Sequence, residues 1–136
     1  MIVKTSDTLP LRTEYDIVSA RQHVRRLTQA IGFGVVDQTK LVTAASELAR
    51  NAVTYGQGGE VRCEVLDDGL RQGVRLQFDD RGPGIPDLAL ALTDGWTSGG
   101  GMGLGLSGAK RLVNEFAVES TVGKGTRVTI TRWKNR

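Results

Sequence analysis

Apolar residues recur along this chain at two different periods, and each change of period marks a new element. Ile2, Val3, Leu9 and Leu11 lie around Pro10 in a short extended pattern that predicts an edge strand. The period then becomes helical. Ile17, Ala20, Val24, Leu27 and Ile31 recur every three or four residues behind the capping candidates Thr13 and Asp16, and Gly32-Phe33-Gly34 closes the run. His23, Arg21, Arg25 and Arg26 are expected on the solvated face of that helix. A second helix should begin near Asp37, bury Leu41, Ala44, Ala45, Leu48, Ala52 and Tyr55, and stop at Gly56-Gln57-Gly58-Gly59.

Residues 60–80 alternate instead. Val61, Cys63 and Val65 precede a turn at Asp67-Asp68-Gly69, and Val74, Leu76 and Phe78 follow it, which predicts a hairpin. Pro86 and Asp87 open a short apolar helix through Leu88 and Leu92, and a glycine cluster fills residues 95–108. Behind it Ala109, Leu112, Val113 and Phe116 have helical spacing. A strand is expected over residues 118–121, a tight turn at Gly123-Lys124-Gly125, and a last strand through Val128 and Ile130 to near Trp133. Helices grouped against consecutive strands predict an α+β, two-layer sandwich, its mixed but mostly antiparallel sheet covered on one face by helices.

Composition narrows the function. A length of 136 residues predicts a single domain, and 39% hydrophobic with 24% charged residues is ordinary for a globular protein. Eighteen glycines are the excess, and they cluster. The net charge is +3, but the basic residues are scattered, so no nucleic-acid partner is expected. Cys63 is the single cysteine and His23 the single histidine, which excludes an internal disulfide and a cysteine metal cluster. No apolar run reaches the length of a membrane span, and the first residues lack a signal peptide's apolar core. A cytoplasmic protein with no membrane partner is expected.

Three stretches carry candidate chemistry. Asp79-Asp80-Arg81-Gly82-Pro83-Gly84-Ile85-Pro86 places a carboxylate at the end of a half-buried strand beside bare backbone, although the same residues also suit a plain turn. Ser46-Glu47-Leu48-Ala49-Arg50-Asn51-Ala52 sets Glu47 and Asn51 four apart on one helix face beside the apolar stripe; a surface Glu47 and Arg50 pair is the simpler alternative. The glycine cluster offers unshielded N–H groups to phosphate. Its Gly103-Leu104-Gly105-Leu106-Ser107-Gly108 fits the dinucleotide pattern by accident, since no strand precedes it, and Gly123-Lys124-Gly125-Thr126 lacks the helix of a P-loop. Together the stretches suit adenine against Asp80 and the Gly82 and Gly84 turn, with phosphates under the glycines. Mg²⁺ would sit between phosphates and Asn51, and Glu47 would be placed to take a proton from a hydroxyl.

The boxes Glu47-Leu48-Ala49-Arg50-Asn51, Asp80-Arg81-Gly82-Pro83-Gly84 and Gly101-Met102-Gly103-Leu104-Gly105, closed by Gly125-Thr126, resemble those of the GHKL ATPases, the Bergerat-fold family of gyrase, Hsp90-type chaperones, histidine kinases and anti-sigma serine kinases. Domain size, the stretch 14–21 and Asp94-Gly95-Trp96-Thr97-Ser98-Gly99-Gly100 look like its stressosome switch-kinase branch. The resemblance implies ATP and Mg²⁺ as cofactors and a serine/threonine kinase acting on STAS-domain scaffold or antagonist proteins, which then exchanges them for a serine phosphatase or similar effector. It implies Glu47 as base, Asn51 as metal ligand and Asp80 as adenine reader. The implied nucleotide site comprises Arg50, Asn51, Asp80, Gly82, Gly84, Ile85, the run Ser98-Gly99-Gly100-Gly101-Met102-Gly103-Leu104-Gly105-Leu106, and Thr126. Related kinases carry an arginine in that run. Residues 93–102 hold neither Arg nor Lys here, so Arg50 or Arg81 would have to substitute. The rival reading is an anti-sigma factor with nucleotide as a structural cofactor. A histidine kinase is not expected, for want of a dimerising helical region ahead of the domain.

Overall fold

The computed structural model describes residues 1–92 and 106–134. Strand β1 (Ile2–Leu11) enters helix α1 (Glu14–Ala30) through Thr13, whose hydroxyl accepts from the Asp16 N–H at 3.3 Å while the Asp16 carboxylate accepts from the Thr13 N–H at 3.2 Å. This capping box satisfies two of the donors that every helix start leaves open. Helix α2 (Val35–Thr54) begins two residues earlier than the sequence pattern suggests, at an extended Gly34. Asp37 does not cap it. Its carboxylate is engaged by Arg132, and it sits inside the first turn, where an acid favours the helix dipole.

Strands β2 (Gly59–Asp67) and β3 (Gln72–Asp80) form the expected hairpin, its turn tied by Asp68 Oδ1 accepting from the N–H groups of Leu70 and Arg71. The short helices α3 (Leu88–Ala91) and α4 (Leu106–Arg111) precede β4 (Glu115–Thr121) and β5 (Gly125–Trp133). The sheet order is β1-β2-β3-β5-β4, and all four neighbouring pairs are antiparallel. Phe116 differs from expectation: it belongs to β4 and pairs with Ile130. Asn114 explains the change, because its N–H donates to Thr131 O and its side chain accepts from the Trp133 N–H, which draws the chain onto the β5 edge directly after α4.

Alternate strand residues build one core. Val61, Cys63, Val74, Leu76, Phe78, Val128 and Ile130 point at Ile17, Ala20 and Val24 of α1 and at Leu41, Ala44, Ala45 and Leu48 of α2. The opposite face of the sheet carries polar pairs: Arg75 meets Glu64 at 2.7 Å, Arg62 donates to Gln77 at 3.2 Å, and Arg127 meets Asp79 at 2.6 Å. At its other end the same face buries Leu66 and Trp133, which flank Gly73 in the register. Arg25 and Arg26 are exposed as expected, but His23 is not on the solvated face: its side chain is 18% exposed and turns toward β1, with Nε2 3.5 Å from Asp7 Oδ2. Among the described residues no helix is long and apolar enough to cross a membrane.

Candidate functional site

Where α2 ends, the sheet and the loop after β3 part to leave an open cleft. Helix α2 supplies Leu48, Asn51 and Ala52, and the turn after it Tyr55 and Gly56; β3 supplies Phe78 and Asp80; the loop supplies Pro83, Gly84 and Ile85; α4 supplies Leu106, and β5 supplies Thr126 and Val128. A mostly apolar lining with few polar groups suits a small flat ligand.

Asp80 is the charged residue of that lining. Its Oδ1 accepts from the Gly82 N–H at 3.0 Å and the Thr126 N–H at 3.2 Å, which fixes the carboxylate, and Oδ2 makes no hydrogen bond among the described residues. Burial pushes the Asp80 carboxyl above the ordinary aspartate value, against the lowering pull of those two N–H groups; the neighbouring charge of Asp79 raises it further. Asp79 itself does not share the site. Successive strand residues face opposite ways, and Asp79 meets Arg127 on the polar face of the sheet.

Gly82 packs tightly on backbone: a Cβ there would lie 2.7 Å from Gly56 Cα and 2.9 Å from Tyr55 O. It lets the loop cross the end of α2. Gly56 in turn gives room to the Asp80 side chain, whose Cγ would stand 2.5 Å from an added Cβ. Gly84, at φ 79°, packs on Thr121 O. Ser120 ties these parts together: its hydroxyl accepts from the Ile85 N–H at 2.8 Å and lies 2.8 Å from Thr126 Oγ1.

Of the expected site residues, Asn51, Asp80, Gly84, Ile85, Leu106 and Thr126 converge on the cleft, and Gly82 supports it from behind. Glu47 is exposed on α2, one turn before Asn51, and is not part of the cleft wall. Arg50 reaches away from Glu47 to Glu14 at 2.9 Å and ties the start of α1 to the end of α2. Arg81 is exposed, so neither arginine lines the cleft. The expected run from Ser98 to Gly105 lies outside the described residues. Leu48, Ala52, Tyr55, Gly56, Phe78, Pro83 and Val128 were not singled out as site residues; the parity of Phe78 and Val128 at one end of paired strands was the available signal. Among the described residues no three His, Cys, Asp or Glu side chains are placed to hold a metal. An amide oxygen at Asn51 fits Mg²⁺ that arrives on phosphates and keeps its own waters.

Residues 36–136 match the model of the histidine kinase-, DNA gyrase B-, and HSP90-like ATPases. The chain is 43% identical over 123 residues to the serine/threonine-protein kinase RsbT of Bacillus subtilis, across 90% of this chain and 92% of that one. It is 29% identical over 99 residues to an anti-sigma F factor of Clostridium novyi, across 66% of each. Its fold resembles the crystal structure of the RsbU and RsbW domains of Rv1364c from Mycobacterium tuberculosis, with a TM-score of 0.68 and 25% identity over 98% of this chain and 34% of that longer one. The mycobacterial sensor histidine kinase MprB shares the fold alone, with a TM-score of 0.58 at 22% identity over 96% of this chain and 99% of that one.

Proposed function

This chain belongs to the family of histidine kinase-, DNA gyrase B-, and HSP90-like ATPases, and we propose that it works there as a partner-switching serine/threonine kinase of the RsbT kind. ATP binds in the Asp80 cleft. The kinase phosphorylates a hydroxyl on a STAS-domain scaffold protein in the cytoplasm, then leaves it to bind and activate a serine phosphatase.

The carrying observation is the Asp80 carboxylate, with Oδ1 held by two backbone N–H groups and Oδ2, among the described residues, left as an acceptor in a mostly apolar cleft. An exocyclic amine satisfies that acceptor, which adenine has where guanine presents a carbonyl. Phe78, Val128 and Ile85 supply apolar surface for the ring. Asn51 holds the Mg²⁺ that neutralises phosphate charge. Glu47 takes the proton of the attacking hydroxyl while the terminal phosphoryl group passes to that oxygen and ADP departs. Its exposure supports this role, because an acceptor on another protein has to reach it from outside.

Calorimetry with ATP and GTP tests the cleft: ATP should bind and GTP should not, and equal affinities would defeat the adenine assignment. Glu47→Gln should keep ATP binding and slow transfer about a hundredfold or more, whereas Asn51→Ala should lose Mg²⁺-dependent binding. The resemblance to anti-sigma F factors supports the second reading, a sigma-binding protein with structural nucleotide. That reading gains if Glu47→Gln transfers phosphate at the parental rate.

A further inference from the structure

Arg132 lies where an arginine needs a reason, on the helix-facing side of β5 opposite Val74 and 9% exposed. Its Nη2 pairs with Asp37 Oδ1 at 2.5 Å and its Nη1 donates to Leu112 O at 2.8 Å. Asp37 stands in the first turn of α2. Leu112 follows α4 directly, so its carbonyl is among those a helix end leaves open. Among the described residues the Nε of Arg132 is buried without a hydrogen-bond partner. Burying that donor unpaired is a cost, and the two Nη contacts are what it is spent on.

Three elements therefore meet at one guanidinium, and the same three line the cleft: α2 through Leu48 and Asn51, α4 through Leu106, and β5 through Thr126 and Val128. The meeting point is remote from those residues, about 20 Å along β5 from Thr126 at the usual rise of a strand and about 21 Å along α2 from Asn51 at that of a helix. The described part of α4, Leu106–Arg111, ends directly before Leu112, so the Arg132 contact fastens that end of it to β5. A planar fork can serve an acid and a carbonyl at a fixed angle, which an ammonium cannot do.

We propose that Arg132 is a positioning residue: by fastening the start of α2 and the end of α4 to β5, it sets the spacing of the cleft walls between Asn51 and Leu106. The part of this that concerns ligand affinity rests on the cleft being the ATP site; the part that concerns α4 does not.

The test uses the full chain with Arg132→Lys, which keeps the charge and loses the fork, beside Ile17→Val, a core truncation under α1 that serves as a control for lost stability. Hydrogen exchange without nucleotide should show the amides of α4 exchanging about tenfold faster or more in Arg132→Lys while α1 keeps its protection; Ile17→Val should not single out α4. Unchanged protection of α4 in Arg132→Lys overturns the proposal. With ATP, the affinity of folded Arg132→Lys should fall about tenfold or more, as a small displacement of the walls would cause, with transfer at saturating ATP unchanged. Faster α4 exchange with parental ATP affinity overturns the spacing role. If the parental chain fails to bind ATP, the proposed function fails, while the exchange result still decides whether Arg132 fastens α4.

Discussion

Asp80 shows what a binding residue costs the protein that carries it. Its carboxyl is raised above the ordinary aspartate value chiefly by burial, so between that value and the raised one the native state binds more protons than the unfolded chain. The group's contribution to stability is full below about pH 4, the ordinary aspartate value, and is lost as pH rises through the raised one. At neutral pH the fold carries a charged acceptor that serves the ligand and weakens the empty cleft. Asp80→Asn can still accept from Gly82 and Thr126, so its melting temperature at pH 7 should equal or exceed the parent's. ATP affinity should fall by about 1.5 to 3 kcal/mol, the worth of a charge-assisted bond. Melting curves and calorimetry from pH 4 to 8 check both halves, and a variant that melts well below the parent at pH 7 would assign Asp80 to holding the loop. In the parent, ATP binding should weaken on acidification at a higher pH than an ordinary aspartate would produce.

At the scale of elements, the glycines separate into those that let chains cross and those that do not. A Cβ at Gly82 would press on Gly56 Cα and Tyr55 O, whereas one at Gly108, inside α4, meets nothing within 4 Å among the described residues. Gly82→Ala should therefore destabilise by about 1 to 3 kcal/mol, the usual cost of overpacking, and Gly108→Ala should stabilise by about 0.5 to 1 kcal/mol through helix propensity. Denaturant melts of the two variants read the contrast, and equal shifts would refute it. The same distinction explains what the sequence made legible. Periodicity located α1, the start and end of the β2 and β3 hairpin, and the helical face carrying Leu48 and Asn51, because burial repeats with the period of each element. It placed Asp80 at the rim of the fold for the same reason. It could not show that Gly82 packs on Gly56, or that Asn114 recruits Phe116 to a strand, because each depends on a partner distant in sequence or on tertiary pairing. His23 was misplaced likewise: its helical position borders the buried stripe, and Asp7 on β1 decides where it turns.

At the scale of the whole molecule, Cys63 reports whether the chain unfolds as the single domain we propose. It lies fully buried in the middle of β2, under the helices, and burial with the nearby charges of Asp7 and Glu64 pushes its thiol up to about 12. A neutral, enclosed thiol does not attack a reagent, so labelling requires opening that separates helices from sheet. One hydrophobic core spans α1, α2 and the central strands, and the cleft residues Leu48, Ala52, Phe78, Val128 and Leu106 belong to it. Opening that exposes Cys63 should thus also destroy the cleft. Labelling by a thiol reagent, in the regime where reclosing outpaces reaction, should give the same unfolding free energy as a denaturant melt. ATP with Mg²⁺ at a hundred times its dissociation constant should then slow labelling about a hundredfold, since a ligand that binds the native state alone removes about 2.7 kcal/mol from the open population. Labelling that ignores saturating ATP would mean that α1 lifts from the sheet while the cleft stays whole, and the chain would be two cooperative units sharing one sheet.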